Sequence, residues 1–166
     1  MKLKTFNICL TLWKAGKNLQ KYNIKIGFHI RLFCLNELNS LRQTSQFSQN
    51  EEQELLKMIY ELREVKKELT NEEQKCSLEE YQLFLADFFD KINKEDRYGK
   101  ATLETSNNFK DMFYFIDVLA KWGPIDEEMI KCKRYCQYKA VDIYKSLQKG
   151  EIPKRGGPNE KCRRKY

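Results

Sequence analysis

The sequence predicts an all-α protein built from two packed three-helix bundles, and three observations support that fold class. Hydrophobic residues make up 41% and aromatic residues 13% of the 166-residue chain, enough to form a core. Proline is absent between Lys2 and Trp122, so nothing in that range interrupts a long helix. Apolar residues recur there at spacings of three and four, the period of an amphipathic helix.

The first three predicted helices lie in residues 1–72. The first runs from about residue 4 to 19 and the second from about residue 24 to 43. The third opens with the capping box Ser48-Gln49-Asn50-Glu51, in which serine and glutamate satisfy two backbone N–H groups. An almost unbroken apolar series follows along this third helix: Leu55, Ile59, Leu62, Val65 and Leu69.

The other three helices are expected in residues 73–150, after a polar break at 70–76. A second capping box at residues 77–80 starts the fourth helix, which should stop at Gly99. The fifth is expected from about residue 102 to 122, and the sixth from the Asp126 cap to Gly150. Residues 151–166 look like a basic, disordered tail. Two bundles this small should pack on one another or gain stability from a partner.

Charge is unevenly distributed along the chain. Residues 1–50 carry a net charge of +7, residues 51–148 a net charge of −5, and residues 149–166 a net charge of +5. This arrangement suits an adaptor that binds a basic helix near its middle and lies close to an anionic membrane. A basic helical nucleic-acid-binding protein is the alternative, although the basic residues are not concentrated on one element.

The six cysteines favour structural thiols over a disulfide framework or a zinc site. No CxxC pair occurs, and the closest two, Cys132 and Cys136, are four residues apart on a predicted helix. Histidine occurs once, at position 29. These features predict a reducing, cytoplasmic compartment. No stretch approaches the roughly 20 apolar residues of a membrane span.

Catalytic chemistry is not indicated. The sequence contains no phosphate-binding loop, dinucleotide fingerprint, zinc-protease motif, nucleophile elbow or calcium loop. Acidic pairs occur, but none is matched to a histidine or a metal-ligand set. The sequence therefore predicts a protein that is not an enzyme and needs no cofactor.

Binding through helix faces is the better interpretation. Phe109, Phe113, Tyr114 and Phe115 are more large apolar residues than one inward stripe can hold, because positions 113 and 115 lie about 200° apart. The surplus ring packs on the other bundle or forms part of a partner groove. Tyr135 and Tyr138 lie just off the sixth helix seam, at a core edge or in an interface.

Several blocks resemble the vacuolar-sorting VTA family, which includes the LYST-interacting protein. They are residues 78–81 (LEEY), 94–100 (KEDRYGK), 113–119 (FYFIDVL), 131–140 (KCKRYCQYKA) and 146–153 (SLQKGEIP). The resemblance covers about residues 5–158 and implies that family's amino-terminal module, two MIT-type three-helix bundles in tandem. It also implies a cytoplasmic adaptor, peripheral on the endosomal membrane, in multivesicular-body sorting.

The partners implied by the resemblance are carboxy-terminal helices of ESCRT-III subunits. A separate domain of the family stimulates the ESCRT AAA ATPase, so regulation of that ATPase is expected to be indirect for these 166 residues. Ile59 with Met58 matches an apolar groove position on the family's third helix, and Leu62 lies one turn further on. Tyr138 matches an anchoring tryptophan on the last helix. The candidate partner-binding residues are thus Met58, Ile59, Leu62, Tyr114, Tyr135 and Tyr138.

Overall fold

A computed structural model describes residues 2–158, and within that range it contains helices and no strand. The prediction of an all-α fold is confirmed. The helices are α1 (Lys2–Gln20), α2 (Ile24–Thr44), α3 (Gln49–Glu68), α4 (Leu78–Arg97), α5 (Leu103–Phe115) and α6 (Glu127–Gln148), with a 3-10 helix at Ile116–Trp122.

The chain forms two compact units that divide inside α4, between Tyr81 and Gln82. We call residues up to 81 unit 1 and the later residues unit 2. The sequence predicted a boundary at 72/73, and the assignment of each unit to an MIT-type bundle stays a prediction.

The α1–α2 pair of unit 1 depends on two glycines for its close packing. A Cβ placed on Gly27 would lie 2.6 Å from the backbone of Gln20, and one placed on Gly16 would lie 2.9 Å from the Ile30 side chain. Hydrogen in place of a side chain therefore lets the two helices approach directly.

Helix α3 of unit 1 begins at the predicted capping box. Glu51 N–H donates to Ser48 Oγ at 3.2 Å, and Ser48 N–H donates to the Glu51 carboxylate at 2.8 Å. The segment after α3 is held against α2, because His29 Nε2 donates to the Gln74 carbonyl at 2.8 Å.

The core of unit 2 is rich in aromatic rings. Phe115 lies 5.6 Å from Phe84 and 5.4 Å from Phe88, centroid to centroid. Phe109 is fully buried and lies 6.2 Å from the Tyr135 ring. Edge-on and tilted pairs of this kind add to the stability gained from burial alone.

The expectation of one continuous helix over residues 102–122 is wrong, because α5 ends at Phe115 and a 3-10 helix follows. Ile116 and Leu119 are both buried. A 3-10 helix has three residues per turn and places this pair on one face, which a 3.6-residue period does less well. Gly123, at φ 142°, then ends the segment.

The expected disordered tail is corrected where the structure describes it. Within residues 151–158, backbone atoms of Lys154 and Gly156 bond to side chains of α6 and α4 in the same unit. No sequence pattern predicts this contact, because one side of it consists of main-chain groups. The rest of that predicted tail, 159–166, lies outside the described residues.

Candidate functional site

Helix α3 carries three of the predicted partner-binding residues, and the structure separates them by depth. Met58 is 2% exposed and Leu62 is 4% exposed, so both lie in the core of unit 1. Ile59 is half-buried. Of the three, Ile59 is therefore the residue that offers surface to a partner, with Met58 and Leu62 supporting it from beneath.

Two neighbours of Ile59 extend this surface and were missed in the sequence. Leu56 is 57% exposed and Tyr60 is 66% exposed. Positions 56, 59, 60 and 63 follow the i, i+3, i+4, i+7 spacing of one helix face. We call Leu56, Ile59, Tyr60 and Arg63 the α3 stripe. The signal was present in the sequence as a second apolar series one position after Leu55.

A buried arginine fixes the helices that carry the α3 stripe. The Arg31 guanidinium lies 4.3 Å from the Trp13 ring centroid and donates to Gln20 at 2.8 Å and to Glu61 at 2.9 Å. These contacts join α1, α2 and α3 through one side chain. A planar guanidinium suits this role, because it stacks on an aromatic ring while its edges donate hydrogen bonds.

Glu61, next to Tyr60, is the acidic end of this network. Lys17 also pairs with its carboxylate. Burial alone would raise the pKa of Glu61, but the hydrogen bonds and charges of Lys17 and Arg31 hold it below its usual value. Glu61 therefore stays ionised beside the Lys17 and Arg31 side chains.

The three tyrosines predicted as partner contacts in unit 2 do not form one site. Tyr135 packs against Phe89, at 6.0 Å, as well as Phe109. Tyr114 stacks edge-on against Phe113 at 5.1 Å. Tyr138 lies on α6, one residue before the buried Lys139.

Tyr138 lies close to two acidic residues instead. Partial burial, followed by the negative charges of Asp142 and Asp96, raises the pKa of its hydroxyl. The ring is half-buried. An aromatic ring with one accessible face is the arrangement that an anchoring contact needs.

A second exposed apolar face lies where α5 meets α6. Ser106 donates to the Ala140 carbonyl at 2.6 Å and fixes the two antiparallel helices at that level. Leu103 precedes this contact by one turn, and Val141 and Tyr144 follow it. These three residues are 52%, 47% and 46% exposed, respectively, and we call them the α5/α6 face.

The thiols fit a packing role. Burial raises the pKa of Cys9 to about 12 and raises that of Cys34 well above its usual value. Cys136 is buried too, and its hydrogen bond with Cys132 lowers the pKa of that half-buried thiol. Within residues 2–158, no three side chains of the metal-binding types come together.

No helix in that same range is both long and apolar enough to cross a membrane. Both helical units expose apolar residues on helix faces. The chain belongs to the Vta1-like family, whose sequence pattern matches residues 10–149.

Individual relatives show the same similarity. The chain is 28% identical over 146 residues to the Arabidopsis thaliana protein named as a homologue of mammalian LYST-interacting protein 5. It is 31% identical over 109 residues to the human vacuolar protein sorting-associated protein VTA1 homologue. Those matches cover 87% and 61% of this chain, respectively, but 34% of each relative. A Dictyostelium discoideum VTA1 homologue is 35% identical over 65 residues, which are 39% of this chain and 12% of that protein.

Proposed function

We propose that this chain is a non-enzymatic adaptor in vacuolar and multivesicular-body sorting, with two MIT-type bundles that bind carboxy-terminal helices of ESCRT-III subunits. The observation that carries the proposal is the α3 stripe, in which Leu56 and Tyr60 are exposed beside the half-buried Ile59 on a helix fixed by Arg31. An amphipathic helix can bury its own apolar face on such a row. The names of the relatives, which concern vacuolar protein sorting, support the process.

Unit 2 supplies a separate docking surface in this proposal. Tyr138 is its aromatic anchor, and Tyr114 and Tyr135 help to shape the unit around it. Because Tyr138 and the α3 stripe belong to different units, we expect each to bind its ESCRT-III tail with an affinity independent of the other. Regulation of the ESCRT AAA ATPase is then indirect, through the tails that the adaptor holds.

Peripheral association with the endosomal membrane from the cytoplasm is part of the proposal. Residues 2–21 contain five lysines and no acidic residue. Lys2 and Lys17 pair with acids of α3, whereas Lys4 and Lys14 on α1 and Lys21 in the turn after it are exposed. Each lysine near an anionic lipid surface contributes roughly 1 kcal/mol, so three give a weak, reversible attraction.

The basic residues at positions 1–50 favour the adaptor over the nucleic-acid-binding alternative. Five of these eight form ion pairs with acidic residues of unit 1: Lys2, Lys17, Lys25, Arg31 and Arg42. Acidic residues of the same unit therefore neutralise much of this positive charge. A salt titration with duplex DNA should show weak binding, whereas many phosphate contacts would give a steep salt slope.

Peptide titration with charge substitutions tests the docking surfaces. Tyr60→Asp should weaken the tail that binds unit 1 by at least about 10-fold, and Tyr138→Asp should do the same for the tail that binds unit 2. Ile59→Asp should also abolish the first interaction, but Tyr60 is more exposed and its variant keeps the fold intact.

Tyr22→Asp is the matched control, because Tyr22 is 89% exposed and lies in the turn between α1 and α2. It should bind both tails like the unmodified chain. If Tyr60→Asp and Tyr138→Asp also bind both tails normally, the assigned surfaces are wrong.

A further inference from the structure

The segment Glu151–Pro158, which we call the strap, turns back along α6 after Gly150. Lys139 Nζ donates to the Lys154 carbonyl at 2.7 Å and to the Gly156 carbonyl at 3.1 Å. Gly156 N–H in turn donates to Asp96 Oδ2 of α4 at 2.9 Å. The strap is therefore held between α4 and α6 by one ammonium and one carboxylate.

These two side chains are removed from water. Lys139 and Asp96 are 0% and 1% exposed, and their charged atoms lie 2.9 Å apart. A lysine ammonium has three donors, and two hydrogen bonds of Lys139 go to the strap, at the Lys154 and Gly156 carbonyls. Asp96 Oδ1 lies within ion-pair distance of the same ammonium. The more distant Asp142 adds a second negative charge at 3.9 Å.

The strap contributes main-chain atoms to these contacts, and the Arg155 guanidinium lies beside Gly99, just after the end of α4. Ile152 is 87% exposed, and Lys154 and Arg155 are also exposed. Gly156 has φ 73°, a conformation that favours glycine. The hydrogen bonds that join the strap's main chain to α4 and α6 are made by Lys139 and Asp96.

We propose that the strap is a reversible latch, and that the cleft between α4 and α6 is a binding site for extended main chain that this protein fills with its own residues 151–158. Lys139 donates hydrogen bonds to carbonyl groups and Asp96 accepts one from an N–H group, so the cleft binds the polar groups of a main chain. While the strap is seated, the cleft is closed to any other extended segment. This inference does not depend on the docking of ESCRT-III tails.

Trypsin cleavage of the full chain after Lys154 and Arg155 measures how often the latch opens, because a protease needs an unseated backbone. The informative variant is Lys139→Met with Asp96→Leu. Removing both charges together avoids leaving one buried and unpaired, a change that is strongly destabilising by itself. This double variant should be cleaved at the strap at least about 10-fold faster, with its helical circular dichroism and melting temperature retained.

Lys133→Met is the matched control on the same helix. Lys133 lies over the Phe113 ring at 4.5 Å and pairs with Asp117, and it has no contact with the strap. Its variant should leave strap cleavage unchanged. If the double variant is cleaved at the unmodified rate, the two charges do not hold the strap; if it unfolds, the strap is no separable latch. Either result overturns the proposal.

Occupancy by another chain is tested with a synthetic peptide of residues 149–158. Gly156→Pro removes the N–H that Asp96 accepts and cannot adopt φ 73°, so it should open the latch while Lys139 and Asp96 remain. The peptide should bind this variant and should bind the Lys139→Met, Asp96→Leu protein at least about 10-fold more weakly. Equal binding of the peptide to these two variants would show that Lys139 and Asp96 do not bind its main chain.

Discussion

The two units are stabilised by charges in contrasting ways. Unit 1 joins its helices with ion pairs near the surface, such as Lys2–Glu51 at 2.9 Å and Arg42–Glu52 at 3.0 Å. Unit 2 has one ion pair, Lys139–Asp96, that is almost fully buried and lies beside a core of aromatic rings. Exposed pairs contribute about 0–1 kcal/mol each, whereas breaking a buried pair costs several kcal/mol.

The contribution of an ion pair to stability therefore depends on how deeply the pair is buried. In unit 1 several ion pairs join α1 and α2 to α3, and each of the exposed pairs contributes little to stability. In unit 2 the buried pair Lys139–Asp96 contacts the strap, and a core of aromatic rings lies in the same unit. Substitutions that remove one kind of contact at a time test this difference between the units.

The largest expected effect comes from the aromatic core of unit 2. Phe109→Ala should lower the free energy of unfolding by about 3–5 kcal/mol, because Phe109 is fully buried and its loss leaves a cavity. Phe113→Ala is the control on the same helix, and its half-buried ring should cost clearly less. Urea denaturation measures both values, and equal losses would contradict a core centred on Phe109.

A smaller loss is expected from crowding the α1–α2 interface of unit 1. Gly27→Ala should destabilise by about 1–3 kcal/mol, because the new Cβ meets the Gln20 backbone, which cannot move aside. Gly16→Ala meets an Ile30 side chain and should cost less. Thermal melts of the two variants should rank them in this order, and the reverse order would exclude backbone crowding as the cause.

A gain of similar size is expected at Asp111 of α5. Burial raises the pKa of this carboxyl to about 6 from its usual 3.8, although Lys110 lowers it in part. The ionised form is therefore disfavoured in the folded state above pH 6, and this cost is relieved as pH falls towards 4. Asp111→Asn should stabilise the protein by about 2 kcal/mol at pH 7 and by little near pH 4.

Denaturation at the two pH values tests this sign, with the exposed Asp87→Asn as the control. A stabilisation by Asp111→Asn that is the same at pH 4 and pH 7 would exclude the ionised carboxylate as its source.

The smallest effect is expected from the surface pairs of unit 1. Lys17→Met should change stability by less than about 1 kcal/mol, since Lys17 is 55% exposed and Glu61 keeps its bond to Arg31. Arg31→Met removes a buried partner of the same carboxylate and should cost more. Double-mutant cycles with Glu61→Gln separate the two couplings, and equal values would contradict the role of depth.

Local signals in the sequence determined much of this protein. Helix period, capping residues and the near absence of proline predicted an all-α chain, because each of these acts over one or two turns. The Ser48 capping box and the end of α4 before Gly99 are found as predicted. So is the Asp126 cap of α6, which accepts from Met129 N–H at 2.9 Å.

Tertiary structure decided what depends on residues far apart in the chain. The sequence placed Met58 and Leu62 on the candidate docking surface, but both are buried in unit 1, whereas Leu56 and Tyr60 are exposed. The basic charge of residues 1–50 suggested an external partner, yet acids of residues 51–80 neutralise much of it. The strap was unforeseen because Lys139, Asp96 and Gly156 meet across 17 and 60 residues, through main-chain groups common to any sequence.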